Sequence, residues 1–317
     1  WEPYKAKFPG INTVLPSERT PGRALQICIA TEDIMGPIRN SGIGTTYTHL
    51  ALLLAEAGHR VTILFLQGEY CQSGDIQDWV EWYRQRGVSF VPLSASPDIA
   101  SPARRWIQPM YALYEHLRET SYDLVHVSEW RGSAYLCLLA KKQGLAFRDT
   151  VFCVKASAPR LWDREIQLRA VDRVSDLVRI YAERRSVELA DLVISGSAYM
   201  LRWMLAHGYH LPEKGSFVQP NVHKPWDIPE HQRSQRPEPG AREPVTEIVF
   251  FGRLEHRKGL DIFCEAIGNL LEQGREPPPV TFLGNPGARI PTHPELTAEE
   301  YIGEQARDWP IQWKVLN

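Results

Sequence analysis

Short apolar runs alternate with segments of helical spacing along most of this chain, and this alternation restricts the fold more than any other feature. The first run, at residues 25–31, is followed by Ile43, Tyr47 and Leu50 at helical spacing and then by a second run at residues 60–66. Continuous apolar runs of this length are typical of strands buried on both faces. Helices between such strands pair them in parallel through right-handed crossovers. The pattern therefore predicts an α/β fold with a parallel sheet covered by helices on both faces.

The same alternation continues to residue 219. Further strands are expected at residues 88–92, 123–127, 150–154, 192–195 and 217–219. Helices are expected at residues 75–86, 102–119, 133–142, 163–189 and 200–206. In the long helix at 163–189 we expect one apolar stripe to face the core, formed by Ile166, Ala170, Val174, Leu177 and Tyr181.

The composition changes at residues 224–246, which hold five prolines, several charges and almost no aliphatic side chains. Such a composition is typical of a linker. After it the alternation restarts, with strands expected at residues 247–251, 280–283 and 311–316 and helices at residues 260–271 and from the capping box of Thr297 and Glu300 onward.

A chain of 317 residues indicates two domains, because domains commonly hold about 100–200 residues. We expect an N-terminal extension at 1–23, a Rossmann-like domain at 24–223, a linker at 224–246 and a partial second Rossmann-like domain at 247–317. Three strands are fewer than a doubly wound domain normally has, so the second domain is expected to be incomplete. Because the chain opens at Trp1 rather than at Met, we also expect it to be part of a longer protein with further domains.

Charge and composition exclude several classes of protein. The 36 Lys and Arg residues against 38 Asp and Glu residues argue against a nucleic-acid binder, which needs a surplus of cations. No apolar run reaches the roughly 18–20 residues of a transmembrane helix, and residues 1–23 lack the pattern of a signal peptide. The five cysteines are scattered, with no CxxC pair, so we expect no disulfide framework, no metal site and a reducing, cytoplasmic location.

A glycine-bearing loop at residues 40–46 is the first candidate for a binding site. Gly42 and Gly44 would permit positive φ and close backbone approach, and a helix N-terminus behind them would offer free N–H groups to an anion. A tight turn that needs two glycines is the alternative. Nicotinamide binding is disfavoured, because Tyr47 occupies the third position of the glycine fingerprint and no acid follows the second strand before Glu69.

A basic loop at residues 251–261, directly after an expected strand, is the second candidate. Gly252 frees the strand end, and Arg253 and Lys258 lie on the way into a helix. Two cations and a helix N-terminus at the carboxyl end of a strand form a suitable diphosphate site. The alternative is a solvated basic turn, because His256 and Arg257 add to the local charge.

Five segments, in order, resemble the family 4 retaining glycosyltransferases. They are SGIGTTYTHLALLLAEAGHRVTIL at residues 41–64, DLVHVSEW at 123–130, LADLVISGSAYM at 189–200, QPNV at 219–222 and FGRLEHRKGLDIFCEAI at 251–267. The resemblance covers about residues 25–283. It implies the GT-B type of α/β fold, in which two Rossmann-like domains bind an acceptor and a nucleotide diphosphate sugar.

The resemblance also implies roles for four residues at the donor. Gly42 and Gly44 match the glycine loop that faces the donor diphosphate, and Arg253 and Lys258 match the pair that neutralises the diphosphate as the sugar leaves. Two cations can stabilise this leaving group without a metal ion. Retention in this family is attributed to attack from the leaving-group face, so neither an enzyme nucleophile nor a cofactor is expected.

The match departs from the family at the end of the fourth expected strand of the first domain. The family commonly has His-x-His followed by an acid, whereas this chain has His126, Ser128 and Glu129. His126 and Glu129 are the catalytic candidates, although His126 could also be a core-edge histidine. The family's glycine after Pro220-Asn221 is replaced by Val222. Two donor-binding glutamates that the family has late in its second domain are expected beyond Asn317.

Acceptor-side residues of the family follow the fifth strand. By that resemblance Lys155, Ser157 and Trp162 are the acceptor-side candidates, with an aromatic helix anchor as the alternative for Trp162.

Together these features predict a retaining glycosyltransferase that moves a sugar from a nucleotide diphosphate sugar to a carbohydrate, lipid or small-molecule acceptor. Part of the donor site is expected to be missing from this chain. Two alternatives stay open. One is a non-catalytic binding or scaffolding module of a larger protein, and the other is a nucleotide-sugar 2-epimerase on the same fold.

Overall fold

The computed structural model describes residues 12–13, 22–94, 104–213, 215–222, 244–285, 287 and 289–317, and it divides them into two compact units. The first unit takes the described residues up to Arg160 and those from 172 to 222. The second takes Leu161–Val171 and the described residues from 244 onward. Most of the expected linker at 224–246 lies outside the described residues.

The first unit is built on one parallel sheet. Its strands are β1 Asn12–Thr13, β2 Gln26–Thr31, β3 Arg60–Phe65, β4 Val88–Pro92, β5 Leu124–Ser128, β6 Val151–Ala156, β7 Leu192–Ser195 and β8 Ser216–Val218. Among the described residues their order is β1-β8-β7-β6-β5-β2-β3-β4, with every neighbouring pair parallel. The predicted α/β fold with a parallel sheet is therefore confirmed. Strand β1 lies in the segment expected as an extension and pairs with β8 at the edge of the sheet.

Helices connect these strands along the chain. They are α1 Gly42–Glu56, α2 Ile76–Arg84, α3 Arg104–Glu119, α4 Tyr135–Lys142, α5 Arg160–Ile166, α6 Val174–Leu189 and α7 Ala198–Ala206. A short 3-10 turn at Trp130–Gly132 precedes α4. The core between α1, α2 and the sheet is apolar and fully enclosed, with Tyr47, Ile63, Phe65 and Tyr83 at its centre.

The expected single helix at 163–189 is wrong. The chain forms α5 and α6 with a break, because Leu168 adopts a left-handed conformation (φ +50°) that ends the first helix. The expected apolar stripe is wrong as well, since Val174, Leu177 and Tyr181 are more than half exposed. The buried face of α6 instead carries mostly polar and small side chains, which are Asp176, Ala182, Glu183, Ser186 and Val187.

The second unit contains a smaller parallel sheet. Its described strands are β9 Ile248–Phe251, β10 Val280–Leu283 and β11 Trp313–Leu316, in the order β11-β10-β9. Helix α8, Leu260–Glu272, follows β9 after a 3-10 turn at His256–Lys258, and α9, Ala298–Gln305, begins at the predicted capping box of Thr297 and Glu300. Phe250, Leu260 and Phe282 lie in its apolar core.

All five cysteines are free, and four of them are buried. Buried thiols of this kind pack as small apolar side chains. Within the described part of the chain, no helix is both long and apolar enough to cross a membrane.

The orientation of α6 can be tested by substituting alanine for valine once on its buried face and once on its exposed face. Val187→Ala should lower the free energy of unfolding by roughly 2 kcal/mol, because Val187 is fully buried and its truncation leaves a cavity. Val174→Ala, on the same helix but 75% exposed, should change it by less than about 0.5 kcal/mol. Urea unfolding followed by circular dichroism measures both. Equal effects would contradict the observed orientation of the helix.

Candidate functional site

Two of the predicted site residues lie on one face of the first unit's sheet, near the carboxyl ends of its strands. His126 and Ser128 alternate along β5, and Ser128 is the register partner of Lys155 on β6. Register partners in a parallel sheet point to the same face, and so do residues two apart on a strand. The sheet therefore places the side chains of His126 and Lys155 side by side on the face that α1 covers, where Tyr47 contacts His126.

A small cleft opens at this position. Its walls include Thr46 and Leu50 from α1, Ile194 from β7, and Gln219, Pro220 and Val222 from the segment after β8. His126 and Lys155 form its floor, each only 5% exposed. The QPNV segment thus contributes to the cleft, although none of its residues is among the predicted site residues.

His126 is held as a neutral side chain. Its ring meets the ring of Tyr47 edge to face, with 5.3 Å between centroids. Burial, and after it the charge of Lys155, lowers the pKa of His126 to about 3. Its Nδ1 is buried and has no hydrogen-bond partner among the described residues. At neutral pH, His126 can therefore hydrogen-bond in the cleft but carries no charge.

The side chain of Lys155 is largely buried. Burial lowers the pKa of Lys155, while the carboxylate of Glu129 partly offsets this through space. Burial of an ammonium group is costly because it removes hydration, and the charge of Glu129 reduces that cost.

Glu129 is completely buried and its carboxylate is occupied by protein groups. It accepts hydrogen bonds from the backbone N–H groups of Ser157 and Ala158, at 2.7 and 2.6 Å, and from the hydroxyl of Ser128 at 2.8 Å. Burial raises the pKa of Glu129, and these hydrogen bonds act in the opposite direction. The side chain joins the loop after β5 to the loop after β6. Its predicted contact with substrate stays a prediction.

A second buried glutamate side chain, which no sequence pattern indicated, connects the same two loops. Glu183 on α6 accepts hydrogen bonds from the backbone N–H groups of Arg131, at 2.9 Å, and Arg160, at 2.6 Å. Burial is the main cause that raises the pKa of Glu183 to about 8, and the charge of Glu129 contributes. In the sequence, the one indication that Glu183 is buried is its position in a helix whose other residues form no continuous apolar face.

The remaining acceptor-side candidates belong to different units. Ser157 begins the loop after β6, and its Oγ is buried without a hydrogen-bond partner among the described residues. Trp162 is on α5, in the part of that helix that belongs to the second unit, and is partly buried. The first unit therefore brings together His126, Lys155, Ser157 and Glu129, whereas Trp162 belongs to the second unit.

The glycine loop does not have the conformation we expected. Gly42 and Gly44 lie in the first turn of α1, and neither has a positive φ. Asp33 fills the end of this helix, accepting hydrogen bonds from the N–H groups of Ser41 and Gly44, each at 3.1 Å, and from the Ser41 hydroxyl. A side chain at position 44 would collide with Asp33, since an added Cβ would lie 2.6 Å from its Oδ1. The diphosphate role of the two glycines stays a prediction.

The second candidate loop matches the expected geometry more closely. Gly252 has φ +146°, at the end of β9, and the side chain of Arg253 is 60% exposed, 3.7 Å from Glu255. Lys258 is exposed, with no ion-pair partner among the described residues. Gly259 begins α8 without a side-chain cap. Uncapped N–H groups and two accessible cations can together receive an anion.

A glycine at the end of β10, which no sequence pattern singled out, shapes this loop. Gly284 has φ +154°, and an added Cβ would overlap the carbonyl oxygen of Gly252. The N–H of Gly252 donates to Leu283 O at 3.0 Å, and that of Leu254 donates to Asn285 O at 3.0 Å. The two strand ends are thus in direct backbone contact, which holds the loop of Arg253 at the carboxyl edge. The signal available in the sequence was a glycine directly after a buried strand.

A larger hollow, of about 520 Å³, lies at the opposite, amino-terminal ends of strands β2, β5 and β6. Arg118, Asp123, Phe147 and Arg148 are among its lining residues, and none of the predicted site residues is. We place the candidate site in the smaller cleft, of about 10 Å³, because it contains the predicted residues Lys155 and His126, and the buried Nδ1 of His126 has no hydrogen-bond partner among the described residues. Among the described residues, no three His, Cys, Asp or Glu side chains are grouped as a metal site would need.

The raised pKa of Glu183 should make stability depend on pH. Between the ordinary glutamate value of 4.5 and about 8, the folded chain keeps a proton that the unfolded chain has lost, so stability should fall as pH rises. Glu183→Gln removes the titrating group. The slope of the free energy of unfolding against pH should therefore become shallower by up to about 1.4 kcal/mol per pH unit. Urea unfolding at pH 5, 6, 7 and 8 measures it. The exposed Glu119→Gln is the matched control, and an unchanged slope in Glu183→Gln would contradict the assignment.

Comparison with known proteins identifies the family. Residues 41–215, more than half of the chain, match the family model described as "Glycosyl transferase 4-like domain". D-inositol 3-phosphate glycosyltransferase 1 of Catenulispora acidiphila is 24% identical over 196 residues, which are 60% of this chain and 46% of that protein. D-inositol 3-phosphate glycosyltransferase of Kribbella flavida is 26% identical over 191 residues, 58% of this chain and 43% of that protein. The matches thus span less than half the length of these curated relatives.

Two solved structures share the fold. The catalytic domain of starch synthase IV from Arabidopsis thaliana, bound to ADP and acarbose, has a TM-score of 0.57 at 13% identity, and the match covers 93% of this chain and 74% of that one. A lipopolysaccharide outer core galactosyltransferase in its apo form has a TM-score of 0.51 at 14% identity, and the match covers 92% of this chain and 68% of that one. These likenesses confirm the predicted GT-B type of fold. The family-model match over residues 41–215 shows that this chain belongs to the glycosyl transferase 4-like family.

Proposed function

We propose that this chain belongs to a retaining glycosyltransferase that uses a nucleotide diphosphate sugar. The observation that carries the proposal is the loop after β9. There, the accessible Arg253 and Lys258 accompany a helix that begins without a side-chain cap. A departing diphosphate needs such positive groups, because negative charge grows on it as the bond to the sugar breaks.

The proposed reaction exchanges one bond at the anomeric carbon for another. The bond from this carbon to the diphosphate oxygen breaks, and a bond from the acceptor hydroxyl oxygen forms on the same face of the sugar. The acceptor's proton passes to the departing diphosphate oxygen, so no enzyme nucleophile, metal ion or cofactor takes part. Arg253 and Lys258 hold the diphosphate, and the amides of the first turn of α1, with Gly42 and Gly44, are the further candidates there.

The first unit would bind the acceptor. In the cleft, His126 offers a neutral hydrogen-bonding ring and Lys155 offers a positive charge. Glu129 acts on the site by holding the backbone of Ser157 and Ala158, so we assign it a positioning role. Trp162 stays an acceptor-side candidate from the second unit.

The names of related proteins support this class of reaction. Two curated relatives are named as D-inositol 3-phosphate glycosyltransferases, and the starch synthase structure holds ADP and acarbose. We propose an acceptor that is a carbohydrate, a lipid or a small molecule, without choosing the sugar or the base of the nucleotide. The five free cysteines support a reducing, cytoplasmic location.

The diphosphate site can be tested by calorimetric titration of this chain with UDP, GDP and ADP. One nucleotide should bind, and Arg253→Ala and Lys258→Ala should each weaken its binding about tenfold, or ~1.4 kcal/mol, because each removes one cation from the diphosphate. The exposed Arg275→Ala removes the same type of charge beyond the end of α8 and should leave the affinity unchanged. If no nucleotide binds, or if all three variants bind alike, the proposed site is wrong.

Retention can be tested on the reaction product. The new glycosidic bond should have the same anomeric configuration as the bond to the nucleotide in the donor, because attack and departure use one face of the sugar. Proton NMR coupling constants at the anomeric position of donor and product measure this. Inversion would overturn the retaining mechanism while leaving the transferase assignment in place.

A further inference from the structure

A buried acid lies inside the basic loop that follows β9. Glu255 stands between Arg253 and Lys258 in the sequence, and only 1% of its surface is exposed. The proposed function gives this acid no role. On charge alone it is unfavourable there, because a carboxylate repels the diphosphate that the two cations are assigned to bind. Its presence in the loop therefore needs a separate explanation.

The two carboxylate oxygens of Glu255 face two different arginines. Oε1 accepts a hydrogen bond from Nη2 of Arg257 at 2.6 Å, and Oε2 lies 3.7 Å from Nε of Arg253. Arg257 is held from another side as well, because its Nε lies 3.6 Å from Oδ1 of Asp163 on α5, which belongs to the same unit. Arg257 thus fixes the carboxylate that pairs with Arg253.

The backbone around Glu255 is also held by hydrogen bonds. Its N–H donates to the carbonyl oxygen of Arg253 at 2.9 Å, and its own carbonyl oxygen accepts from the N–H of Lys258 at 3.0 Å. Gly287, in the loop after β10, packs against the carboxylate, since an added Cβ there would lie 3.0 Å from Oε2. Glu255 is therefore a rigid partner for an arginine whose own side chain is 60% exposed.

We propose that Glu255 is a positioning residue, which holds Nε of Arg253 and leaves the two Nη groups of that arginine to the donor diphosphate. This inference rests on the proposed function. An exposed arginine loses side-chain freedom when it binds a ligand, and an ion pair formed beforehand reduces that cost. The planar guanidinium can offer Nε to one acid and its Nη groups to another, whereas a lysine has a single nitrogen.

The inference can be tested by calorimetric titration with whichever of UDP, GDP and ADP binds this chain. Glu255→Gln should weaken binding about fivefold, although it removes a negative charge, because Arg253 is no longer held. The exposed Glu272→Gln removes the same charge at the end of α8 and should leave the affinity unchanged. An affinity that stays the same or rises in Glu255→Gln would overturn the inference, since it would show an acid that only repels the ligand.

A double substitution separates positioning from a purely structural role. In a chain that already carries Arg253→Ala, Glu255→Gln should cause no further loss of nucleotide affinity, because the side chain through which Glu255 acts is gone. An equal loss in both backgrounds would mean that Glu255 acts through the fold of the loop, and the inference would be wrong.

A third variant leaves the buried acid in place, so its result does not depend on whether Glu255→Gln folds. Arg253→Lys keeps the charge at an exposed position but removes the second donor, and it should weaken nucleotide binding about as much as Glu255→Gln does. A lysine chain that binds as tightly as the unsubstituted one would contradict the proposed role of Nε.

Failure of the proposed function gives a different result. If no nucleoside diphosphate binds, or if Arg253→Ala leaves binding unchanged, the diphosphate site and the role of Glu255 are both wrong. If Arg253→Ala weakens binding and Glu255→Gln does not, the diphosphate site stands and the role of Glu255 alone is wrong.

Discussion

Two buried glutamate side chains hold the loops on which the first unit's site depends. Glu129 binds two backbone N–H groups of the loop after β6, and Glu183 binds one N–H group from the start of α5 and one from the loop after β5. A loop at the end of a strand leaves N–H groups without partners in the sheet, and burying them unsatisfied would cost free energy. The two carboxylates satisfy these groups and fix the loops beside His126 and Lys155.

Helices α1 and α8, one in each unit, differ at their N-termini. In α1, the carboxylate of Asp33 and the hydroxyl of Ser41 already occupy N–H groups of the first turn. In α8, Gly259 provides no side chain for a cap, and the nearby acid Asp261 is hydrogen-bonded to His256 at 2.7 Å. Both helices thus carry a carboxylate at the first turn, but at α1 Asp33 itself accepts hydrogen bonds from backbone N–H groups, whereas no side chain caps α8.

The alternating strands and helices could be predicted because buried parallel strands appear in the sequence as apolar runs and the helices between them as apolar residues at helical spacing. The same patterns failed for α6, whose buried face includes Asp176 and Glu183 rather than the apolar stripe. Periodicity reports hydrophobic burial, whereas these acids are buried with hydrogen bonds to groups distant in sequence. The need for glycine at position 284 was equally hidden, because it arises only when β9 and β10 lie side by side.

The candidate site shows the same limit. The resemblance directed attention to His126, Glu129 and Lys155, but residue identity alone did not distinguish their physical states. Burial leaves His126 neutral and lowers the pKa of Lys155, whereas Glu129 accepts hydrogen bonds from the backbone N–H groups of Ser157 and Ala158. These states follow from burial and from partners distant in sequence, which residue identity alone does not report.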